Sequence, residues 1–236
     1  MGAANNRITM LSGPRNISTT MMRSFESRPD TKVVDEPFYA AYLRSSGADH
    51  PMRDEILRDQ SNDWTIVMEE LQKNTTQYVF EKHIAFHFTY APSLDWLDGT
   101  RMFHLIRDPV SMVASYKNKL DDVAPIIESY RIQREIYERS PAPIVDATDI
   151  LKQPDGMLPK LCNALEIEYF DSMLSWPLGA RETDGIWGAH WYDAVNASTS
   201  FLPFTEKDIV LSPDLAKFAQ ACMEDYNFFR ERRILP

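Results

Sequence analysis

The sequence predicts an α/β fold in which a central parallel β-sheet is flanked by helices. Five short runs of β-type residues alternate with stretches of helical periodicity, which is typical of a parallel sheet. Several runs are almost continuously apolar, as expected for strands that are covered on both faces. The 236 residues can bury a full core, and we expect a single domain over residues 1–236. The predicted strands are Arg7–Ser12, Lys32–Asp35, Tyr78–Lys82, Met102–Ile106 and Pro143–Ala147.

The predicted helices follow from periodicity and from the residues at their ends. Asp63 is a suitable N-cap for one helix, and Ser212 with Pro213 begins the last one. The stretch Trp176–Thr205 has no clear period, and we expect a long, partly ordered connection of the kind that often carries function. The predicted helices are Ser18–Ser27, Trp64–Lys73, Val110–Leu120, Ala124–Glu138, Leu158–Leu165 and Pro213–Arg230.

Charge and cysteine content exclude several classes of function. The net charge of −10 argues against a nucleic-acid or membrane-surface protein, which would need a basic face. The two cysteines, Cys162 and Cys222, do not form a CxxC motif and are expected to be buried thiols of a reducing compartment. No apolar stretch is long enough to span a membrane. We therefore expect a cytoplasmic protein.

The first predicted strand runs directly into a tight turn and a helix start, which is a favourable place for an anion. The unpaired N–H groups at a helix N-terminus and the helix dipole both attract negative charge. The spacing equals that of a GxxxxGK[ST] loop, but Ser18 and Thr19 replace the second Gly and the Lys, so Arg15 is the available cation. An ordinary helix start with Ser18 as N-cap is the alternative. The candidate binding residues are Gly13, Pro14, Arg15, Asn16, Ile17, Ser18, Thr19 and Thr20.

A second anion-binding motif follows the fourth predicted strand. Arg107 stands at the carboxyl end of that strand, where open α/β sheets bind ligands. Ser111 and Ser115 lie four residues apart on one face of the next helix. Arg107 and Ser115 are therefore expected to hold a second phosphate together.

The two motifs together resemble the superfamily of sulfotransferases that use 3′-phosphoadenosine 5′-phosphosulfate (PAPS) and release the bisphosphate PAP. The resemblance covers roughly residues 7–170 and includes a third, weaker match, Val145–Leu151 with the following helix. It implies a P-loop-containing nucleotide-binding fold of the sulfotransferase type. It also implies that the first loop binds the 5′-phosphosulfate, and that Arg107 and Ser115, with the family's spacing, bind the 3′-phosphate.

The chain departs from the family pattern at three places. The first loop has an extra residue after Pro14-Arg15 and no Gly before Thr19-Thr20. Met21 stands where an adenine-stacking Trp is often found, and no Gly-rich segment that closes over the nucleotide is recognisable. Trp187, Trp191 or the stretch 198–200 are candidates to replace it.

Two residues are candidates for the base that accepts the acceptor's proton. Glu36 follows the second strand, as the base does in the bacterial and tyrosylprotein-type branches, and it is favoured. His83 resembles the base of cytosolic members and has the more suitable unperturbed pKa, about 6.5 against about 4.3 for Glu. Lys82 is a candidate to neutralise the bridging oxygen of the donor. His83 and His87 have the spacing of zinc ligands on a helix, but no third ligand is evident and no metal is expected.

The expected function is transfer of a sulfuryl group from PAPS to the hydroxyl of a small-molecule acceptor. A P-loop kinase or NTPase is one alternative, against which the missing Lys argues. A non-catalytic nucleotide-binding module on the same fold is another. The segments Phe38–Gln60 and Trp176–Thr205 are expected to form the acceptor pocket, and the oligomeric state is left open.

Overall fold

The computed structural model describes residues 6–73, 77–117 and 123–236. Five strands form one parallel sheet in the order β2-β3-β1-β4-β5, so β1 lies at the centre between β3 and β4. This confirms the predicted fold class. The third strand is two residues longer than predicted, and the fifth is shorter. The strands are β1 Arg7–Ser12, β2 Thr31–Asp35, β3 Tyr78–Ile84, β4 Arg101–Ile106 and β5 Ile144–Asp146.

Helices flank the sheet and also cover the carboxyl ends of its strands. The α-helices are α1 Ser18–Glu26, α2 Tyr39–Ser46, α3 Arg53–Asp59, α4 Trp64–Leu71, α5 Pro109–Lys117, α6 Ala124–Arg139, α7 Ala147–Lys152, α8 Pro154–Ala164, α9 Gly188–Trp191, α10 Asp193–Asn196, α11 Pro213–Ala221 and α12 Met223–Glu231. The 3₁₀ helices are Ala85–Tyr90, Asp95–Leu97 and Asp171–Leu174.

The predicted helix ends are found where a side chain can cap them. Asp63 Oδ1 accepts hydrogen bonds from the N–H groups of Thr65 and Ile66, and Ser212 Oγ accepts one from Leu215 N–H. The last predicted helix is two helices, α11 and α12, which meet at Cys222. The predicted end of α5, Leu120, lies outside the described residues.

The core follows the alternation of side chains along the strands. Ile8, Met10 and Phe80 face one side of the sheet and pack with α1, α2, α7 and α8. Leu11 and Met102 face the other side, where α4 and α6 cover them. A further cluster joins α5, α6, α11 and α12 beside β4 and β5. Both cysteines are buried free thiols in separate clusters, as expected.

The connection over residues 176–205 is more regular than the sequence suggested. It contains α9 and α10, and a single antiparallel bridge joins Ser175 to Ser200. The fully buried Arg23 of α1 holds both carboxylate oxygens of Asp184 at 2.6 Å. We name residues 176–200 the cap segment. The ion pair between Arg23 and Asp184 holds this segment against α1. These two residues are 161 positions apart, so local periodicity could not predict the contact.

Across the described part of the chain, no helix combines the length and the apolar character needed to cross a membrane.

Candidate functional site

A cavity of about 730 Å³ opens at the carboxyl ends of the parallel strands. Its walls come from the β1–α1 loop, the ends of β2 and β3, the start of α5, the cap segment and residues 202–209. Open α/β sheets bind ligands at this edge, because the loops that follow neighbouring strands meet there. Both sequence motifs contribute residues to the same cavity.

The β1–α1 loop presents an uncapped helix start to the cavity. Ile17 is the N-cap residue of α1, with φ of 53°, and it makes no side-chain cap hydrogen bond. The alternative in which Ser18 caps the helix is therefore not what the structure has. Arg15 is also left-handed, with φ of 58°, so two non-glycine residues of one loop hold a costly conformation. Strain of this kind concentrates at functional sites, and Ser18, Thr19 and Thr20 of the first helical turn lie on the cavity wall.

Gly13 acts through packing. It does not lie on the cavity wall, and a Cβ atom added there would stand 2.5 Å from Met112 Cε. Asn16 lies on the wall and donates from Nδ2 to the Leu105 carbonyl of β4 at 2.5 Å. This bond fixes the loop against the strand that carries the second motif.

The second motif is adjacent to the first. Arg107 Nη1 donates to the Arg15 carbonyl at 2.6 Å, and Arg15 Nε donates to Ser115 Oγ at 3.2 Å. Tyr130 OH donates to the Arg107 carbonyl and holds the strand end in place. The expectation that Arg107 lies beside the first loop is met, although Ser115 bonds to Arg15 rather than to Arg107.

The two guanidiniums favour an anion between them. Burial lowers the pKa of Arg15 and of Arg107, and the charge of Arg15 lowers the pKa of Arg107 further. Among residues 6–73, 77–117 and 123–236, neither guanidinium has a carboxylate ion-pair partner. The charges of Asp193 on Arg15, and of Asp108 and Asp146 on Arg107, offset only part of this effect, so a bound phosphate would stabilise both guanidiniums. Arg15 and Arg107 therefore form a donor set that fits a phosphate-bearing ligand.

The base candidate Glu36 belongs to a buried cluster at the ends of β2 and β3. The Lys82 ammonium donates to three oxygens: Asp35 Oδ1 at 2.8 Å, Glu36 Oε1 at 2.5 Å and Tyr192 OH at 2.6 Å. Asp35 and Glu36 are neighbours in sequence, yet both reach Lys82. They do so because Glu36 has φ of 41°, which ends the alternation of the strand.

Burial and charge set the protonation of this cluster. Burial raises the pKa of Glu36, and the nearby Lys82 charge offsets only part of that rise. Burial alone would lower the pKa of Lys82, but the charges of Asp35 and Glu36 outweigh it and raise that pKa. Lys82 therefore remains an ammonium. The pKa of Glu36 lies above that of an exposed glutamate.

Tyr192 of the cap segment closes the cluster. Its hydroxyl donates to Asp35 Oδ2 at 2.7 Å and accepts from Trp187 Nε1 at 3.1 Å. Gly185 N–H donates to the same Asp35 oxygen at 3.0 Å. Asp35 thus fixes Lys82 and the cap segment together. Neither Asp35 nor the bond between Lys82 and Tyr192 was predictable from local sequence, because Lys82 and Tyr192 are 110 positions apart.

The structure places His83 away from the cavity. His83 Nε2 lies 3.2 Å from Glu81 Oε2, which also accepts from Arg7 at 2.9 Å. The ring packs among Phe38, Phe88 and Trp96 on the opposite face of the sheet, and burial lowers its pKa. Successive side chains of a strand point to opposite faces, so Lys82 and His83 do not share one site.

The cavity residues that were not predicted as site residues include Tyr39, His50 and His87. His87 had been considered only as a zinc ligand with His83. The described residues contain no group of three His, Cys, Asp or Glu side chains that could hold a metal ion. Tyr39 and His50 lie in the segment 38–60, which had been assigned to the acceptor pocket as a whole.

Fold and cavity define the class of protein before any comparison is made. A parallel sheet with an uncapped helix start after its central strand, and an arginine at the neighbouring strand end, has the P-loop-like fold. The chain belongs to the sulfotransferase family, because the family model for the sulfotransferase domain matches residues 6–232.

Two solved sulfotransferase structures have a similar fold. The sulfotransferase from Alicyclobacillus acidocaldarius aligns over 99% of this chain and 98% of its own, with TM-score 0.60 and 12% identity. Mouse sulfotransferase SULT7A1 complexed with PAP aligns over 98% and 91%, with TM-score 0.53 and 13% identity. At such identities these likenesses show the fold.

A curated relative shares more sequence but is a much longer protein. The Arabidopsis thaliana protein named branched-chain-amino-acid aminotransferase-like protein 2 is 33% identical over 197 residues. The match covers 80% of this chain and 35% of that protein, so this chain spans about a third of its length.

Proposed function

We propose that the protein transfers a sulfuryl group from PAPS to a hydroxyl of a small-molecule acceptor and releases PAP. The observation that carries this proposal is the 2.6 Å bond between Arg107 and the Arg15 carbonyl, which brings two anion-binding motifs to one cavity. The neighbouring solved structure with PAP is a sulfotransferase of the same fold. We also propose that residues 1–236 act as one domain and that the protein is cytoplasmic.

The donor would be held at its two ends. The uncapped amides of α1, the hydroxyls of Thr19 and Thr20, and the Arg15 guanidinium are available for the 5′-phosphosulfate. Arg107 and Ser115 are available for the 3′-phosphate. When bound, the donor supplies the sulfuryl group and a phosphate leaving group.

Glu36 is the proposed base. Its Oε1 is occupied by Lys82 at 2.5 Å, which leaves Oε2 to accept the proton of the acceptor hydroxyl. As that O–H bond breaks, the acceptor oxygen forms a bond to sulfur, and the bond between sulfur and the 5′-phosphate oxygen breaks with its electron pair going to the phosphate. The raised pKa of Glu36 improves it as a proton acceptor.

The geometry assigns Lys82 a different role from the one the sequence suggested. An ammonium has three donors, and Lys82 uses them on Asp35, Glu36 and Tyr192. It therefore has no donor left for the bridging oxygen of PAPS in this arrangement. We propose that Lys82 positions Glu36 and fixes its free oxygen toward the cavity, while Arg15 and the α1 amides stabilise the charge on the leaving phosphate.

A thermal-shift comparison separates this proposal from a kinase and from a non-catalytic module. PAP is expected to stabilise the protein more than ATP with Mg²⁺ or AMP, and Arg107→Ala to remove most of that gain. The matched control is Arg131→Ala, which removes an exposed guanidinium of α6 paired with Glu128. Release of PAP from PAPS in the presence of a hydroxyl acceptor would exclude the module. Absence of any shift with PAP would refute the proposal.

A further inference from the structure

His87 lies beside the free oxygen of Glu36. It belongs to the 3₁₀ helix Ala85–Tyr90 that follows β3, it is 2% exposed, and it lies on the cavity wall. His87 Nε2 is 3.9 Å from Glu36 Oε2. This separation is too long for a direct hydrogen bond, which needs about 2.7–3.2 Å. The two atoms therefore face each other across a gap.

The ring of His87 is held in that orientation by stacking. Its centroid is 4.5 Å from that of Tyr39, with planes 9° apart, and 5.2 Å from that of Tyr42, with planes 26° apart. Phe86 packs edge-on against it at 4.5 Å. A ring stacked against two tyrosines cannot turn toward Glu36 without losing these contacts. The gap is consequently a built feature of the site.

The ring is also chemically ready to donate. Burial lowers the pKa of His87 well below its ordinary value, and the charges of His50, Lys82 and His83 act in the same direction. A neutral imidazole carries one N–H and one lone pair. Among the described residues, no protein group forms a hydrogen bond with either ring nitrogen of His87. Its polar atoms are thus available to a ligand in the cavity.

We propose that the acceptor hydroxyl lies in this gap, donating to Glu36 Oε2 and accepting from His87 Nε2–H. An oxygen about 2.8 Å from each atom would span the gap with an angle near 90° between the two bonds. During transfer the proton moves to Glu36 Oε2, while His87 keeps its own proton and stabilises the charge that develops on the acceptor oxygen. His87 is then a catalytic residue, and this inference rests on the proposed sulfuryl transfer.

The test compares two substitutions of His87 in the release of PAP from PAPS, with 4-nitrophenol and water as the probe acceptors. His87→Leu removes both nitrogens and is expected to lower kcat about 100-fold, the usual cost of one donor to a developing oxyanion. His87→Gln places an amide N–H near the position of Nε2 and is expected to stay within about tenfold of wild type. His190→Leu, at a histidine outside the cavity wall, serves as the matched control.

The PAP thermal shift, measured in parallel, reports folding and the donor site. We expect both His87 variants to keep that shift.

A His87→Leu variant with the wild-type rate would overturn the inference while leaving the proposed function intact. Equal losses in the Leu and Gln variants would overturn the donor role. A wild-type protein without turnover would overturn the proposed function and this inference with it. If the Leu variant misfolds, a crystal structure of the wild type with PAP tests the inference instead. The oxygen of a bound acceptor or water must then lie within about 3.2 Å of both Glu36 Oε2 and His87 Nε2.

Discussion

Replacing Lys82 by Met is expected to destabilise the protein strongly, because it leaves two buried carboxylates without a counter-charge. Lys82 is 1% exposed, Asp35 6% and Glu36 8%, and the ammonium bonds to both carboxylates. Breaking a buried ion pair from one side costs about 3–5 kcal/mol. For a chain of this size each kcal/mol lowers Tm by about 2–4 °C. The expected loss in Tm is therefore about 6–20 °C.

The assay is urea denaturation at several pH values. Loss of the Lys82 charge removes the interaction that lowers the pKa of Glu36, so this pKa rises further. A carboxyl group whose pKa is raised in the folded state stabilises that state below the unfolded pKa, and this stability is lost as pH rises. The Lys82→Met variant should consequently recover stability on acidification from pH 8 to pH 5. Adding Asp35→Asn should recover part of the loss at neutral pH.

Lys217→Met is the control, because Lys217 forms an exposed pair with Asp214 and should change stability by less than about 0.5 kcal/mol. A Lys82→Met variant within about 1 kcal/mol of wild type would refute the reasoning on the buried cluster.

Three further predictions concern the base, the cap segment and the core. Glu36→Gln should lower kcat by at least about 100-fold and leave the PAP thermal shift unchanged. The kcat of the wild type should fall on acidification, at a pH above the ordinary glutamate range, because the pKa of Glu36 is raised. An unchanged kcat in Glu36→Gln would exclude Glu36 as the base. Asp184→Asn should weaken the hold of Arg23 on the cap segment and speed limited proteolysis within residues 176–200, whereas an unchanged cleavage rate would count against that anchor. Burial lowers the pKa of His104 to about 4, so the unfolded state binds a proton first and this residue by itself should lower wild-type stability by about 2 kcal/mol between pH 7.5 and pH 5. His104→Phe should remove that dependence in urea denaturation, and equal slopes for both proteins would refute it.

The sheet could be predicted because strand burial leaves a local signal. The apolar runs of β1 and β4 and the turn residues around them are visible in a short window of sequence. The caps at Asp63 and Ser212 were predictable for the same reason, since a capping side chain lies within three residues of its target. The place of Arg107 beside the first loop was predictable, because the carboxyl ends of neighbouring parallel strands meet at one edge of the sheet.

The cluster around Glu36 could not be predicted in full. Its bonds join β2, β3 and the cap segment, and nothing in the sequence marks Tyr192 as the partner of Lys82. One feature of this cluster was predictable from the sequence. Side chains alternate along a strand, so Lys82 and His83 point to opposite faces of the sheet and only one of them can reach the cavity. The left-handed conformation of Ile17 was not predictable from the sequence, because a β-branched residue gives no signal for positive φ.

The measurement that tests the account most directly is calorimetric titration of PAP and AMP against the wild type and Arg107→Ala. PAP and AMP differ by the 3′-phosphate, so a guanidinium that binds this group should matter more for PAP than for AMP, whose binding senses only the lost bond to the Arg15 carbonyl. We expect Arg107→Ala to weaken PAP at least about tenfold more than it weakens AMP, consistent with the loss of one charged hydrogen-bonded contact to the 3′-phosphate. Equal losses for both ligands, or wild-type affinity for PAP in the variant, would contradict the claim that the two motifs hold opposite ends of one nucleotide.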